Sequence, residues 1–279
     1  MRNMFLASIA AAAIATPAIA APVNVPALQS TIKYTRTATG ATGQGNYARA
    51  TSKIVYDAAN GSYTLRDTGS LAITSTFTPA NIDAVASTPA FTVYKKGANE
   101  TFRRYNIGAT TQGIALTYTG YGQWRRTGTP AFGTGTAVND TYLVFGTRTA
   151  AADMPRIGGA TYDTILDGTF VNKNGAYAVT GTGTLSANFA GGTIGYSATA
   201  TGTKEIGGTL LAFGTMTGAG TIAFGSSGFQ GAGSINGSGY RMDVNGNFFG
   251  PAAAEVGGLF RITGPDRGNG QGAIVGKKP

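Results

Sequence analysis

The sequence predicts an all-β protein: a strand-rich N-terminal region, then a small antiparallel soluble β-barrel of about eight strands. Three observations carry this prediction. Glycine supplies 44 of the 279 residues, more than twice its usual share of ~7%, and it follows no collagen period. The glycines separate short runs such as Thr221-Ile222-Ala223-Phe224 and Tyr240-Arg241-Met242-Asp243-Val244, which is the pattern of strands joined by tight turns. Beyond the first twenty residues no sustained helical period occurs. Regularly spaced aromatic and aliphatic residues can fill a core, and this sets the chain apart from a disordered low-complexity polymer.

Residues 1–20 read as a secretory signal peptide. Arg2 supplies the charge, Met4 to Ala15 are largely apolar, and Pro17 precedes the small-residue triplet Ala18-Ile19-Ala20. The apolar part falls short of the ~20 residues of a spanning helix. Cleavage is expected after Ala20, and no cysteine lies there, so lipid attachment through an N-terminal cysteine is not expected. No later stretch reads as a transmembrane helix. The expected location is the outer-membrane surface, the periplasm or the medium.

Residues 21–150 form the first expected domain. Its strand-like runs are Thr31–Thr35, Lys53–Tyr56, Ser62–Leu65, Ala72–Phe77, Phe91–Tyr94, Ile114–Tyr118 and Thr141–Phe145. Asn60-Gly61 marks a hairpin turn, because Gly supplies the positive φ such turns need. Thr149 to Gly159 read as a linker, and residues 151–279 as the barrel domain. Its runs are Ala160–Tyr162, Tyr177–Val179, Thr184–Phe189, Thr193–Ala198, Leu210–Thr215, Thr221–Phe224, Tyr240–Val244, Gly246–Phe249, Leu259–Ile262 and Gln271–Val275, some of which must merge. In Gly183 to Phe189 the larger apolar residues fall on every second position, with Thr, Ser and Asn between them. That gives one core face and one wet face. A lipid-exposed barrel reverses this order and needs strands of about ten residues.

Composition removes most chemistry. With no histidine and no cysteine, there is no His-based triad, zinc site, imidazole haem ligand or disulfide. The 12 carboxylates are scattered, and no G-x-S-x-G elbow occurs, so no enzyme activity, metal site or cofactor is expected. Tyrosine can ligate haem iron, but tyrosine is also ordinary half-buried strand filler. Asp243, Asn245 and Asn247 alternate, yet no bidentate acid follows at calcium-loop spacing. A formal charge of +9 favours anionic glycolipid, acidic protein or anionic ligands, and export argues against nucleic acid. The candidate partner-binding residues are the pairs Lys95-Lys96, Arg103-Arg104 and Arg125-Arg126 with the lone Trp124. Neighbours on a strand point to opposite faces, so a solvated, aggregation-resistant edge is the competing reading.

The most specific segment is the last. Val244-Asn245-Gly246-Asn247-Phe248-Phe249-Gly250-Pro251 leads through Ala252-Ala253-Ala254-Glu255 to Val256-Gly257-Gly258-Leu259-Phe260, and Gly276-Lys277 ends the final run. A strand ending F-[FY]-G-P, an A-x-E connection, G-G-x-F and a terminal G-x-[KR], here Gly276-Lys277-Lys278, resemble the signature of the transferrin-binding protein B barrel family, including transferrin-binding protein-like solute-binding proteins. The likeness covers mainly residues 142–279. Physically, Pro251 ends strand pairing, Glu255 is expected to bond backbone N–H groups of the connection, Gly257 and Gly258 allow close backbone approach, and Phe249 and Phe260 are expected to fill the barrel. The resemblance implies a binding protein that captures an iron-carrying protein, haem or another solute and works with an outer-membrane receptor. A structural or adhesive envelope protein without a transport ligand is the alternative. The family's type member is lipid-anchored and two-lobed, whereas this chain has room for one lobe.

Overall fold

The computed structural model describes residues 23–37, 41–67, 73–264 and 268–279, so the signal-peptide reading and Ala72 lie outside the described residues. The chain builds two antiparallel sheets in succession. The first holds β1 (Val23–Arg36), β2 (Ala41–Asp57), β3 (Ser62–Arg66), β4 (Thr74–Phe77), β5 (Phe91–Lys96), β6 (Glu100–Tyr105), β9 (Thr119–Gly128) and β10 (Thr136–Gly146), in the order β4-β3-β2-β1-β10-β9-β6-β5. A small ribbon, β7 (Thr110–Thr111) and β8 (Ile114–Ala115), stands apart. The Asp57 carboxylate accepts from the Ala59 N–H and Asn60 caps Ser62, with Gly61 at φ +66°, which forms the β2–β3 turn expected at Asn60-Gly61.

The second sheet is a closed eight-stranded barrel of consecutive strands: β11 (Gly159–Asn172), β12 (Gly175–Asn188), β13 (Thr193–Lys204), β14 (Leu210–Ile222), β15 (Gly228–Ile235), β16 (Arg241–Phe249), β17 (Glu255–Thr263) and β18 (Asn269–Lys277). Closure is made by β11, which pairs with β12 on one side and β18 on the other. The expected all-β fold with a small antiparallel barrel is therefore present. Pairs of expected runs merge: Leu210–Thr215 with Thr221 and Ile222 into β14, leaving Phe224 in the following turn, and Tyr240–Val244, from Arg241 on, with Gly246–Phe249 into β16. The Gly-rich β15 was not among the runs, since Gly231 and Gly233 on its inner face leave no apolar signal.

The barrel is packed with side chains. Tyr162, Phe170, Leu185, Met216, Phe248 and Phe260 are among the buried residues of one interior cluster. On β12, Leu185 and Ala187 point inward, while Thr184, Ser186 and Asn188 are exposed, as the alternation required. β17 and β18 behave differently, being buried on both faces along most of their length. Their run of small and apolar residues, Gly270 to Gly276, lacks alternation because the first sheet covers their outer side.

The first sheet curls around a core of its own, made by Ile54, Phe77, Tyr94, Phe102, Trp124 and Leu143 among others. Its other face meets the barrel wall, where Tyr105, Tyr121, Tyr142 and Val144 pack against Ile165, Phe249, Leu259 and Val275. Each large apolar side chain buried there contributes about 1.5–3 kcal/mol. Phe249 thus lies between the sheets and not in the barrel interior, a correction to the expectation. Phe248 occupies the inward position instead, because alternation sends its neighbour outward.

Replacing Leu185, fully buried, by Ala is expected to lower the unfolding free energy by about 2–5 kcal/mol. Thr184→Ala on the wet face should change it by no more than about 0.5 kcal/mol. Urea denaturation of both variants measures this, and equal losses would contradict the assignment of faces.

Candidate functional site

The basic pairs sit on β5, β6 and β9, and strand alternation divides each one. Arg103 and Arg125 point toward the barrel, while Arg104 and Arg126 point to the sheet's other face. Arg103 donates through Nη2 to both carboxylate oxygens of Asp167 on β11, at 2.6 and 2.5 Å, and its guanidinium lies 4.7 Å from the Phe91 ring centroid. Burial opposes its charge, yet Asp167 holds the Arg103 pKa above its ordinary value.

Arg125 makes the larger network. Its Nε and Nη2 donate to the two oxygens of Asp140 at 2.6 and 2.7 Å, and Nη2 also reaches Glu205 at 2.6 Å. Arg36 donates to the other Glu205 oxygen at 3.1 Å, and the Tyr34 hydroxyl lies 3.2 Å from both carboxylates. Thr169 of β11 donates to Asp140 at 3.0 Å and meets the Tyr142 hydroxyl at 2.7 Å. Asp140 is fully buried, and only this set of donors makes its charge tolerable there. Burial, then Asp140, push the Tyr34 pKa far up, so the phenol keeps its proton. Burial disfavours the Arg125 cation, but Asp140 outweighs it and raises its pKa.

The remaining cations and Trp124 have local roles. Trp124 is fully buried and donates to Glu100 at 2.8 Å, and Arg126 stacks on its ring at 4.4 Å while pairing with Asp67. Arg104 covers the Tyr63 ring and bonds the Tyr105 carbonyl and Asn106. Lys96 is exposed and reaches Ser75 at 3.1 Å, and Lys95 is exposed at the end of β5. Of the seven candidate residues, the two lysines are the ones that present themselves to solvent. The acids Asp140, Asp167 and Glu205 carried no local signal in the sequence, since their partners lie on other strands.

Glu255 is the main surprise of the C-terminal signature. Its carboxylate accepts three backbone N–H bonds, from Thr117 at 2.6 Å, Tyr118 at 3.0 Å and Thr119 at 2.9 Å. These belong to the segment entering β9 and not to Glu255's own connection, which corrects the expectation. Gly257 stands beside them: a Cβ there would meet Thr119 Cγ2 at 2.7 Å and Val144 Cγ1 at 2.8 Å. Gly250 has φ +71° and presses its backbone on the Tyr118 ring, and Pro251 opens the short 3-10 turn Pro251–Ala253 that ends pairing. Gly258 lies over the β16 backbone at Asn245 and Gly246, and Phe260 fills the barrel. The segment from Phe249 to Gly257 is therefore the part of the barrel shaped to receive the first sheet.

No family model matches the chain, and no curated protein matches it in sequence. Among solved structures, a double mutant of transferrin binding protein B from Haemophilus parasuis is 17% identical, with a TM-score of 0.51 over 91% of this chain and 44% of that one. Isotype 1 transferrin binding protein B from Neisseria meningitidis is 14% identical, with a TM-score of 0.49 over 89% of this chain and 43% of the other. The N-lobe of lactoferrin binding protein B from Moraxella bovis is 11% identical, with a TM-score of 0.42 over 90% and 99%. This chain spans less than half of the H. parasuis protein and carries the transferrin-binding-protein-B-like β-barrel fold.

Glu255→Ala should leave three backbone donors without their acceptor, at about 1–3 kcal/mol for each that stays buried. Urea denaturation should show the loss, and amide exchange at 117–119 should quicken in step. Arg125→Met alone strands the Asp140 charge and should cost about 3–5 kcal/mol, whereas Arg125→Met with Asp140→Leu should recover much of it. Additive losses in that cycle would refute the pairing.

Proposed function

We propose that this chain is an exported envelope binding protein that captures an iron-carrying protein, haem or another solute through the turns at one end of both sheets. The single observation that carries this reading is the Arg125–Glu205–Arg36 clasp. Glu205 lies in the β13–β14 connection of the barrel, and the two arginines lie at the ends of β9 and β1. The clasp fixes turns of both sheets at the same end of the molecule. That end also carries Lys95, Lys96, Lys173 and Lys204, together with the exposed Phe132, Ile206 and Leu210. Cations beside exposed aromatic and aliphatic side chains have the makings of a protein-docking surface.

Two further observations favour binding over catalysis. The barrel interior is filled, which directs recognition to the exterior. Asp140, Asp167, Glu205 and Glu255 are each engaged in internal contacts, and no cluster of His, Cys, Asp or Glu suited to a metal ion occurs among the described residues. The transferrin binding proteins are named for an iron-carrying partner, and the fold likeness brings that partner class here as part of the proposal. Export through residues 1–20, cooperation with an outer-membrane receptor, and division into domains at 21–150 and 151–279 belong to the same reading.

The test is capture from host serum and envelope extracts by the mature protein immobilised at its C-terminus. Lys95→Glu, Lys96→Glu and Phe132→Asp together should reduce capture of a specific partner at least about tenfold, the scale of one lost hot-spot anchor, with the thermal midpoint preserved. Expression that rises under iron limitation supports an iron source. Constitutive expression with no captured partner would favour the structural or adhesive alternative.

A further inference from the structure

Outside the turn end, the barrel wall carries a second feature. Two adjoining depressions, of ≈ 370 and ≈ 470 Å³, share Thr221 and Gln230 and run across β14, β15 and β16. Strand register sets their layout. Thr221, Gln230 and Asn245 are direct cross-strand neighbours in one row, and Asn247 follows on the same face of β16. Such a row of three spans about 10 Å at the usual strand spacing. Arg148, from the connection between β10 and β11, closes one end beside Leu28, and Asp243 with Arg261 of β17 lines the other.

Asn247 is only 8% exposed, and its amide makes no hydrogen bond among the described residues. Thr221 and Gln230 are exposed and Asn245 is half-buried, which leaves their polar groups open to the groove. The Arg148 Nε is buried without an acceptor, and no acid pairs with the guanidinium among the described residues. Burial alone lowers the Arg148 pKa, which agrees with a cation lacking a counter-charge. A largely buried amide and a guanidinium whose Nε is buried without an acceptor therefore face one groove, with hydrogen-bonding capacity that a ligand can take up.

We propose that this groove binds an acidic saccharide, its carboxylate on Arg148 and its hydroxyls on Asn247, Asn245, Gln230 and Thr221. Charge complementarity selects the anion, since a guanidinium fork matches a carboxylate. The three amides select the rest of the ligand. Each offers both donors and acceptors, as sugar hydroxyls do, and their carbonyls would repel a purely anionic ligand. At the far end Asp243 and its cross-strand neighbour Arg261 stand side by side, an acceptor and a donor for further hydroxyls. A peptide fits less well, because the closed barrel offers no free edge to pair with. This site lies on the barrel wall, away from the turn end, so its failure would leave the docking surface proposed above untouched.

Calorimetric titration of the mature protein at physiological salt tests the site. The probes are disaccharides bearing a single glucuronate, galacturonate or sialate, a neutral N-acetyllactosamine control, and inorganic phosphate. At least one acidic disaccharide should bind saturably and more tightly than either control. Arg148→Gln should weaken it about tenfold or more, the worth of one charge-assisted pair, without lowering the thermal midpoint. Asn247→Leu should weaken the acidic disaccharide while leaving phosphate binding as it was. Absence of binding by every acidic disaccharide would overturn the proposal. So would phosphate binding as tightly as the best saccharide, or an affinity unchanged by Arg148→Gln.

Discussion

The burial of the Glu255 carboxylate against three backbone N–H groups is the constraint on which the arrangement of the two sheets depends. A charged group 1% exposed is stable only if its lone pairs are filled. Here the filling groups come from residues 117–119, the stretch that must turn the chain into β9. One interaction therefore shapes a segment of the first sheet and fastens it to the second. The small residues around it follow from the same demand. Gly257 and Gly250 remove the side chains that would hold the sheets apart, and Pro251 stops the strand so that Glu255 can turn toward its donors.

From that end, the contact continues along the barrel wall. Apolar packing around Phe249 and Tyr142 gives way to the Arg103–Asp167 pair and then to Arg125, Asp140 and Glu205 at the far end. The sequence of contacts explains why the charges are where they are. Asp140 and Asp167 each face a guanidinium that reaches both carboxylate oxygens, and Glu205 is held by two guanidinium groups, a geometry a lysine could not match. It also explains why the basic pairs fall on strands: one member of Arg103-Arg104 and of Arg125-Arg126 meets the barrel, and the other stacks on Tyr63 or Trp124. The cations that looked like a surface cluster are largely structural groups of two faces.

A barrel filled with side chains has only its outside to offer a ligand. Its covered wall, on β11, β17 and β18, is committed to the first sheet. Its open wall, on β14 to β16, is lined by hydroxyls, amides and small residues, and the turn end carries lysines and exposed apolar side chains. These surfaces differ in chemistry, one rich in hydroxyls and amides, the other in lysines and exposed apolar side chains.

The sequence by itself determined the class of fold, because period-two alternation in segments such as Thr184 to Asn188 follows directly from strand geometry. It also marked the C-terminal segment as special, since the Phe249, Gly250, Pro251, Glu255 and Gly257 spacing is local and contiguous. The β6 and β9 strands were harder to see: their paired arginines interrupt the apolar pattern, and the reason for them lies on other strands. What only the tertiary structure decided is where the charged groups find their partners. Glu255 reaches residues 136 to 138 positions away in the chain, Arg125 reaches Glu205 across 80, and the groove at Arg148 exists only after β14, β15 and β16 come into register. Alternation is written along the chain, but a hydrogen bond between distant residues depends on the closure of two sheets, and no local pattern encodes that distance.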